Sequence, residues 1–311
     1  MQIEVPEPSK SGSRACIHRS RRFWIIFFVT ILLAVIGLAI GLGVGLTQKS
    51  ALTSTPSAPT STSFPPSNTN GTFWQPSAGT TWQIVLLDTL KNTATNVSVY
   101  DIDLFENPAS IIDILHAQNR RVICYFSAGT FEPNRPDSAQ FTAKEKGKEL
   151  SDWPGEYWID TRSSNVRNTM TSRLQLAKSK GCDGVDPDNI DAYDNPNGLD
   201  LTASDAVDYL TFLAGAAHEM NMSIGLKNGG AIVGNVIGLM QWEVNEQCGQ
   251  FKECELFQPF ISANKPVFRI EYVEEARVDA TAKKSICDLA SAHGFSTVIK
   301  ENDLDDWIEA C

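Results

Sequence analysis

The stretch VRNTMTSRLQLAKSKGCDGVDPD, residues 166–188, joins a helical pattern to a strand pattern. Its first part predicts a helix, because apolar residues recur there at helical spacing and share one face. These residues are Val166, Met170, Leu174 and Ala177. Gly181 follows as a helix stop, and the short run Gly184–Asp186 is typical of a buried strand that ends in carboxylates. This stretch therefore predicts one helix–strand unit of an α/β fold.

The same unit repeats along the chain. Seven further apolar runs predict strands at Trp82–Leu87, Val97–Ile102, Arg121–Phe126, Met222–Leu226, Met240–Val244, Pro266–Ile270 and Ser296–Ile299. Helical patterns separate most of them, with a helix start at Asn107-Pro108 and a capping box at Thr202 and Asp205. Eight strands that alternate with helices predict a (β/α)8 TIM-type barrel over residues 73–311. A doubly wound open sheet is the alternative, although no glycine-rich phosphate loop follows any strand.

Three segments precede the barrel. Residues 1–22 form a basic tail, and residues 23–46, FWIIFFVTILLAVIGLAIGLGVGL, contain no charge. That run is long enough for a transmembrane helix, and the basic tail predicts a cytosolic N-terminus with the barrel outside the cell. A cleaved signal peptide is the alternative, but its apolar region would be shorter. The sequence thus predicts a single-pass protein of the cell membrane.

The other features of this N-terminal part are compositional. Gly37, Gly41 and Gly45 form overlapping GxxxG units that would allow two membrane helices to pack, although glycine is common in such helices in any case. Residues 47–72 are rich in Ser, Thr and Pro, which predicts an extended stalk. N-glycosylation sequons stand at Asn70, Asn96 and Asn221.

Charge is distributed unevenly. The chain of 311 residues has a formal net charge of −11, yet residues 1–49 hold six basic and two acidic residues. The rest therefore carries 20 basic and 35 acidic residues, a net of −15. An acidic domain argues against a nucleic-acid partner and suits a cationic one.

Polar residues cluster where the predicted strands end. They are Asp88, Asp101, Asp103, Tyr125, Asp186, Asp188, Tyr193, Lys227, Asn228, Glu246, Glu271 and Tyr272. In a barrel these ends share one face, where chemistry takes place. Paired carboxylates there would suit glycoside hydrolysis, in which one protonates the leaving oxygen and the other stays ionised. Helix capping and a divalent metal on Asp183, Asp186, Asp188 and Asp191 are the alternatives, although the spacing fits no EF-hand.

Five motifs in one order resemble glycoside hydrolase family 114, the endo-α-1,4-polygalactosaminidases. They are ICYFSAG (123–129), GVDPDNIDAY (184–193), GLKN (225–228), NEQC (245–248) and the pair Glu271-Tyr272. The anchor and stalk are similar to those of the fungal, cell-surface members of the galactosaminogalactan system. The resemblance implies a barrel that uses no cofactor and cleaves α-1,4-linked galactosamine in a cationic polysaccharide.

The resemblance also implies roles for single residues. Asp188 becomes the nucleophile or base and Glu246 the proton donor. Substrate-binding positions are Tyr125, Lys227, Asn228, Glu271 and Tyr272, and the strand-end pattern adds Asp88, Asp186 and Tyr193. Asp186 stands where most members carry Glu, which keeps the charge but shortens the reach. A surface lectin for a cationic polysaccharide, or a barrel glycosidase for another amino sugar, remains the alternative function.

Seven cysteines are too few for a disulfide scaffold. Cys16 lies on the predicted cytosolic side, and the other six lie in an oxidising compartment. Cys248 and Cys254 close a short loop beside Glu246 and are predicted to pair. Sequence alone leaves 15 connectivities open for the six, and Cys287–Cys311 with Cys124–Cys182 is one arrangement of the remaining four.

Overall fold

A computed structural model describes residues 73–311. Twelve strands are present in this range: β1 (Trp82–Val85), β2 (Val99–Asp103), β3 (Arg121–Ser127), β4 (Thr130–Phe131), β5 (Lys146–Glu149), β6 (Tyr157–Ile159), β7 (Gly184–Asp188), β8 (Ser223–Lys227), β9 (Trp242–Glu246), β10 (Val267–Val273), β11 (Ser296–Glu301) and β12 (Glu309–Ala310). Nine form one curled sheet in the order β1-β2-β3-β7-β8-β9-β10-β11-β12. The first eight are parallel, and β12 pairs antiparallel with β11. All eight predicted strands are confirmed, and most end one to three residues later than expected.

The helices are α1 (Ala109–Ala117), α2 (Ser164–Lys180), α3 (Ala203–Glu219), α4 (Val233–Val236), α5 (Cys248–Phe251), α6 (Gln258–Ser262) and α7 (Ala280–Cys287). Gly181 ends α2 in the left-handed conformation, and the capping box at Thr202 and Asp205 starts α3, as predicted. Asn107 does not cap α1. Its side chain instead accepts a hydrogen bond from the Leu90 backbone at 2.8 Å.

The outer layer of helices is incomplete. No helix joins β1 to β2 in the described part of the chain, and the connections after β8 and β9 hold only short helices. The two edges of the sheet approach each other, but β1 forms no strand ladder with β11 or β12. Trp82 Nε1 donates to the Ser296 carbonyl at 2.8 Å, and the Leu86 amide donates to the Leu304 carbonyl at 2.9 Å. The fold is therefore an α/β barrel, less regular than a full (β/α)8 barrel.

Side chains alternate between the two faces of each parallel strand. Inward residues fill the barrel with Trp82, Ile84, Val99, Ile123, Trp242, Val244, Phe268, Ile270 and Val298. A second, larger core lies between the sheet and the helices. The alternation matters for function, because a strand-end residue reaches the barrel mouth only if it shares the inward parity.

A small antiparallel sheet, in the order β4-β6-β5, lies between β3 and α2 in the chain and was not predicted from the sequence. We call residues 130–159 the hairpin wall. Trp158 of the wall packs with Ala192 and Leu201 in a small buried cluster. Arg173 fixes the base of the wall, because it donates to both carboxylate oxygens of Asp137 at 2.8 Å and to the Ser127 carbonyl at 2.6 Å.

Three disulfides are formed: Cys124–Cys182, Cys248–Cys254 and Cys287–Cys311. The predicted pair Cys248–Cys254 is thereby confirmed, and the other two pairs are one of the arrangements that the sequence left open. Cys124 and Cys182 join β3 to the segment that leads into β7. The second bridge closes the loop that follows β9, directly after Glu246.

The predicted cytosolic tail, transmembrane helix and stalk lie outside the described residues. Between residues 73 and 311, no helix has the length and apolar character needed to cross a membrane.

Candidate active site

Three consecutive strands of the sheet end in charged side chains that meet. Asp188 ends β7, Lys227 ends β8 and Glu246 ends β9, and all three have inward parity. The Lys227 Nζ lies 3.0 Å from Asp188 Oδ1 and 2.9 Å from Glu246 Oε2. The two carboxylate oxygens are therefore no farther apart than these two distances together, 5.9 Å.

Each of these strands then turns through one left-handed residue. Asn189, Asn228 and Gln247 have φ values of 60°, 52° and 61°. Asparagine tolerates this conformation better than most residues, and it lets the chain reverse at the strand end. The turn at Asn189 brings its amide within 2.7 Å of Asp188 Oδ1.

The motif Ser127-Ala128-Gly129 holds Asp188 from the neighbouring strand. The amides of Ala128 and Gly129 donate to the Asp188 carbonyl at 2.8 and 3.1 Å. Glycine is required here, because a Cβ at Gly129 would lie 1.6 Å from the Asn189 carbonyl oxygen. The Tyr125 hydroxyl adds a hydrogen bond to Asp188 Oδ2 at 2.7 Å. These contacts fix the position of Asp188, whose side chain is 15% exposed.

Glu246 has a comparable set of donors. The Tyr272 hydroxyl donates to Oε1 at 2.5 Å and Asn228 Nδ2 donates to Oε2 at 3.1 Å. Burial alone would raise the pKa of Glu246, but the Lys227 ammonium and these hydrogen bonds outweigh it and lower the pKa to about 2. The same carboxylates raise the pKa of Lys227 well above its usual value against the opposing effect of burial. The side chain of Glu246 is 27% exposed, so it is more accessible than Asp188.

Two further carboxyl groups lie beneath this layer. Asp186 and Asp101 are fully buried, and none of their four side-chain oxygens has a hydrogen-bond partner. Burial raises the pKa of Asp186 to about 7, and burial together with the charge of Asp186 raises the pKa of Asp101 well above its usual value. The two groups therefore hold a proton near neutral pH, which limits the negative charge under Lys227.

These residues form the base of an open cleft of about 1500 Å³. Six of the ten predicted site residues line it: Tyr125, Asp188, Lys227, Asn228, Glu246 and Tyr272. We call these six the catalytic floor. Thirteen acidic side chains line the cleft against three basic ones, Arg135, Lys148 and Lys227. The cleft is therefore strongly anionic and suits a cationic ligand.

The other four predicted site residues do not line the cleft. Asp188 and Asp186 share inward parity, but Asp186 is completely covered. Asp88 lies three residues beyond the end of β1 and forms an exposed ion pair with Lys91 at 3.2 Å. Tyr193 packs against the outer core, with no partner for its hydroxyl.

Glu271 has outward parity on β10. Its carboxylate pairs with Arg269 at 2.8 Å and accepts a hydrogen bond from the Gly249 amide at 2.8 Å. Glu271 therefore fixes the loop that follows Glu246. It does not line the cleft itself, so any effect on the site is indirect.

The carboxylates considered for a metal do not converge. Asp183 precedes β7 and contacts His116 and Arg121, at the end of the strand opposite Asp188. Among the described residues, one group of three carboxylates, Glu301, Asp303 and Asp305, has ligand atoms within 4.8 Å of one another. These are exposed or half-buried acidic groups at the end of β11 and on the loop that follows it, and their proximity alone does not define a metal site.

Several cleft residues were missed because they belong to the hairpin wall or to the loop after β9. Glu132, Trp153 and Glu156 line the cleft from the wall, and Phe251 lines it from α5. The dipeptide Pro154-Gly155 beside Trp153 is a turn signal and could have drawn attention to this segment. Burial and then the nearby Glu132 raise the pKa of Glu156 to about 7.

Paired carboxylates at the ends of barrel strands are an arrangement that glycoside hydrolases use for catalysis. The family model for glycoside-hydrolase family GH114 matches residues 64–311, and the chain belongs to this family. No curated protein matches the chain significantly.

The solved structures that are similar to this chain include the following two. Aspergillus fumigatus Ega3, in a crystal structure of its complex with galactosamine, is 51% identical over 78% of this chain and 100% of that chain, with a TM-score of 0.75. The glycoside hydrolase domain of PelA from Pseudomonas aeruginosa is 12% identical over 74% of this chain and 98% of that chain, with a TM-score of 0.61. The second likeness shows the fold alone.

Proposed function

We propose that this enzyme is an endo-acting glycoside hydrolase that cleaves α-1,4-linked galactosamine in partially deacetylated galactosaminogalactan. The observation that carries the proposal is a pair of carboxylates bridged by Lys227 at the base of an open, anionic cleft. Deacetylated galactosamine units carry an ammonium group near neutral pH, so the cleft complements their charge. The 51% identical Ega3, whose structure holds galactosamine, supports the same substrate class.

Asp188 is the nucleophile in this proposal. It accepts hydrogen bonds from Lys227, Tyr125 and the Asn189 amide, which hold its carboxyl group in place. It attacks the anomeric carbon while Glu246 gives a proton to the glycosidic oxygen, and the bond from carbon to that oxygen breaks. Glu246 then takes a proton from water, which displaces Asp188. An oxygen separation of at most 5.9 Å is close to the 5–5.5 Å of retaining glycosidases and below the 6.5–9.5 Å of inverting ones.

The low pKa of Glu246 sets a condition on its role as the acid. In the ligand-free protein it is ionised, because Lys227 and Tyr272 stabilise the carboxylate. It can carry a proton once bound substrate weakens the contact with Lys227 and excludes water.

Azide rescue distinguishes this assignment from the one in which Asp188 and Glu246 exchange roles. With azide, a Glu246→Ala variant should give a glycosyl azide of retained configuration and Asp188→Ala one of inverted configuration; the opposite pattern would exchange the two roles.

The function is tested by comparing hydrolysis of deacetylated and fully N-acetylated α-1,4-linked polymer. The wild-type enzyme should cleave the deacetylated form faster. Asp188→Asn and Glu246→Gln should each lose about 10²- to 10⁴-fold in rate while still binding polymer. Asp88→Asn is the matched control, because it makes the same change at an exposed site off the cleft. An active double variant would refute the carboxylate assignment, and faster cleavage of the acetylated form would refute the substrate. Binding by the wild type without cleavage would identify a lectin.

We also propose that the enzyme is anchored in the cell membrane with its N-terminus in the cytosol. The uncharged run 23–46 behind a basic tail supports this orientation. The three disulfides support an oxidising compartment for the barrel. Protease added to intact cells should release the hydrolase activity while an N-terminal epitope tag stays protected. Retention of the activity inside the cells would contradict the proposal.

A further inference from the structure

Trp153 stands at the tip of the hairpin wall and is unusually exposed. In the described residues, five large apolar side chains are exposed, and three of them line the cleft: Leu87, Trp153 and Phe251. Trp153 is 55% exposed. Exposed apolar groups gathered in one groove mark ligand-binding surfaces more often than isolated surface positions do. The exposed apolar surface is thus concentrated at the mouth of the catalytic cleft.

The tip that carries Trp153 is held in place by its own hydrogen bonds. The Glu156 amide donates to the Trp153 carbonyl at 3.1 Å, and the Leu150 amide donates to the Glu156 carbonyl at 2.9 Å. The Gly155 amide donates to Glu149 Oε1 at 2.6 Å, and the Lys148 amide donates to the Asn197 carbonyl at 2.8 Å. A turn fixed in this way presents the indole ring to the cleft at low entropic cost on binding.

Glu156 lies three residues after Trp153 and also lines the cleft. Its side-chain contact is a long hydrogen bond of 3.4 Å from the Thr130 hydroxyl, and no Lys or Arg of residues 73–311 forms an ion pair with it. Glu132, by contrast, pairs with Arg135 at 2.8 Å. Burial and the negative charge of Glu132 disfavour the ionised form of Glu156. An incoming ammonium group would supply the missing cation.

We propose that Trp153 and Glu156 form a binding subsite for one amino-sugar unit of the polymer, outside the unit that reacts between Asp188 and Glu246. This inference rests on the proposed function. The indole ring stacks against the face of the sugar that presents C–H bonds, and the Glu156 carboxylate binds the ammonium group. The wall follows β3 and contacts Asn197 beyond β7, so the subsite lies on the Asp188 side of the cleft.

A subsite outside the reacting unit makes the affinity depend on the length of the oligomer. Short oligomers that fill only the catalytic floor do not reach Trp153, whereas longer oligomers do. Loss of the indole therefore weakens binding by a factor that grows with chain length. One aromatic contact with a cationic ligand corresponds to about a 2- to 30-fold change in affinity.

The test is calorimetric binding of α-1,4-galactosamine oligomers of two to eight units to the full chain carrying Glu246→Gln, which slows cleavage about 10²- to 10⁴-fold. Trp153→Ala should leave the Kd of the dimer nearly unchanged and raise that of the longest oligomers about 10-fold, within the range above. Trp153→Phe should recover most of the affinity. Glu156→Gln should weaken binding of deacetylated oligomers and leave that of N-acetylated oligomers unchanged. Ile114→Ala is the matched control, because Ile114 is 45% exposed and does not line the cleft.

A loss that is equal at all lengths, or no loss at all, would overturn the subsite. Equal effects of Glu156→Gln on deacetylated and acetylated oligomers would overturn the role of the carboxylate. These outcomes are distinct from failure of the proposed function, in which the wild-type enzyme neither binds nor cleaves galactosamine oligomers of any length.

Discussion

The catalytic floor and the hairpin wall face the same cleft but are built in opposite ways. The floor comes from the ends of adjacent parallel strands, and its charges are paired by Lys227 at 2.9 and 3.0 Å. The wall comes from an insertion between β3 and α2. It exposes Trp153 and leaves the half-buried carboxylate of Glu156 without an ion pair. The floor is arranged before substrate arrives, whereas the wall leaves its binding groups open. We infer that the floor determines the chemistry and the wall determines which chains bind.

Removal of the Lys227 ammonium should lower activity on substrates of every length. Lys227→Met keeps most of the side-chain volume and removes the ammonium that bridges Asp188 and Glu246. We expect kcat/KM to fall about 10²- to 10³-fold, the cost of losing one preorganised charge contact in an active site. The basic limb of the pH profile should move to higher pH, because the cation lowers the pKa of Glu246 and its removal raises it.

Lys91→Met is the control for this change, because Lys91 is exposed and pairs with Asp88 off the cleft. A Lys227→Met variant whose pH profile stays in place would contradict the bridging role. A loss confined to long oligomers would assign Lys227 to substrate binding, as is proposed for the wall.

A smaller effect is expected from one hydrogen bond of the floor. Tyr272→Phe removes the hydroxyl that donates to Glu246 Oε1 at 2.5 Å. Hydrogen bonds to charged groups contribute about 1.5–3 kcal/mol, so the rate should fall about 10- to 100-fold at all substrate lengths. Steady-state kinetics on a short and a long oligomer would check it. Tyr193→Phe tests the sequence prediction for Tyr193, whose hydroxyl lies off the cleft. A loss of rate as large as that of Tyr272→Phe would show that Tyr193 belongs to the site.

The smallest effect on activity, and a measurable one on stability, is expected beneath the floor. Burial raises the pKa of Asp186 in the folded protein from 3.8 to about 7. Between these two pH values Asp186 is protonated in the folded protein and ionised in the unfolded chain. Stability is therefore lost as pH rises from about 4 to about 7, the reverse of the usual salt-bridged carboxylate. Asp186→Asn removes this loss. The Tm of the variant minus the Tm of the wild type should be more positive at pH 8 than at pH 4. An equal difference at both pH values would contradict the raised pKa of Asp186.

The strands and the floor were predictable from the sequence because both follow local rules. Apolar runs bounded by helix signals located all eight parallel strands, and the residues directly after them include Asp188, Lys227 and Glu246. The period of two in a strand then fixes which side chains point inward. Where the prediction ignored that parity, as for Glu271, it placed a residue at the cleft that the structure places on the outer face.

The wall and the buried pair were not predictable in this way. The strands of the wall are two to four residues long, too short for an apolar period to appear. Asp186 has the correct parity, yet its depth in the barrel depends on the layers above it. That depth is set by tertiary packing, and the sequence pattern of a single strand does not predict it.

The stereochemistry of the first product tests the central claim most directly. Proton NMR during the first minutes of cleavage would identify the anomer at the new reducing end before it equilibrates. A carboxylate pair joined through Lys227 within 5.9 Å predicts retention, so the α-anomer should form first. Initial formation of the β-anomer would show inversion and would contradict Asp188 as the nucleophile in this site.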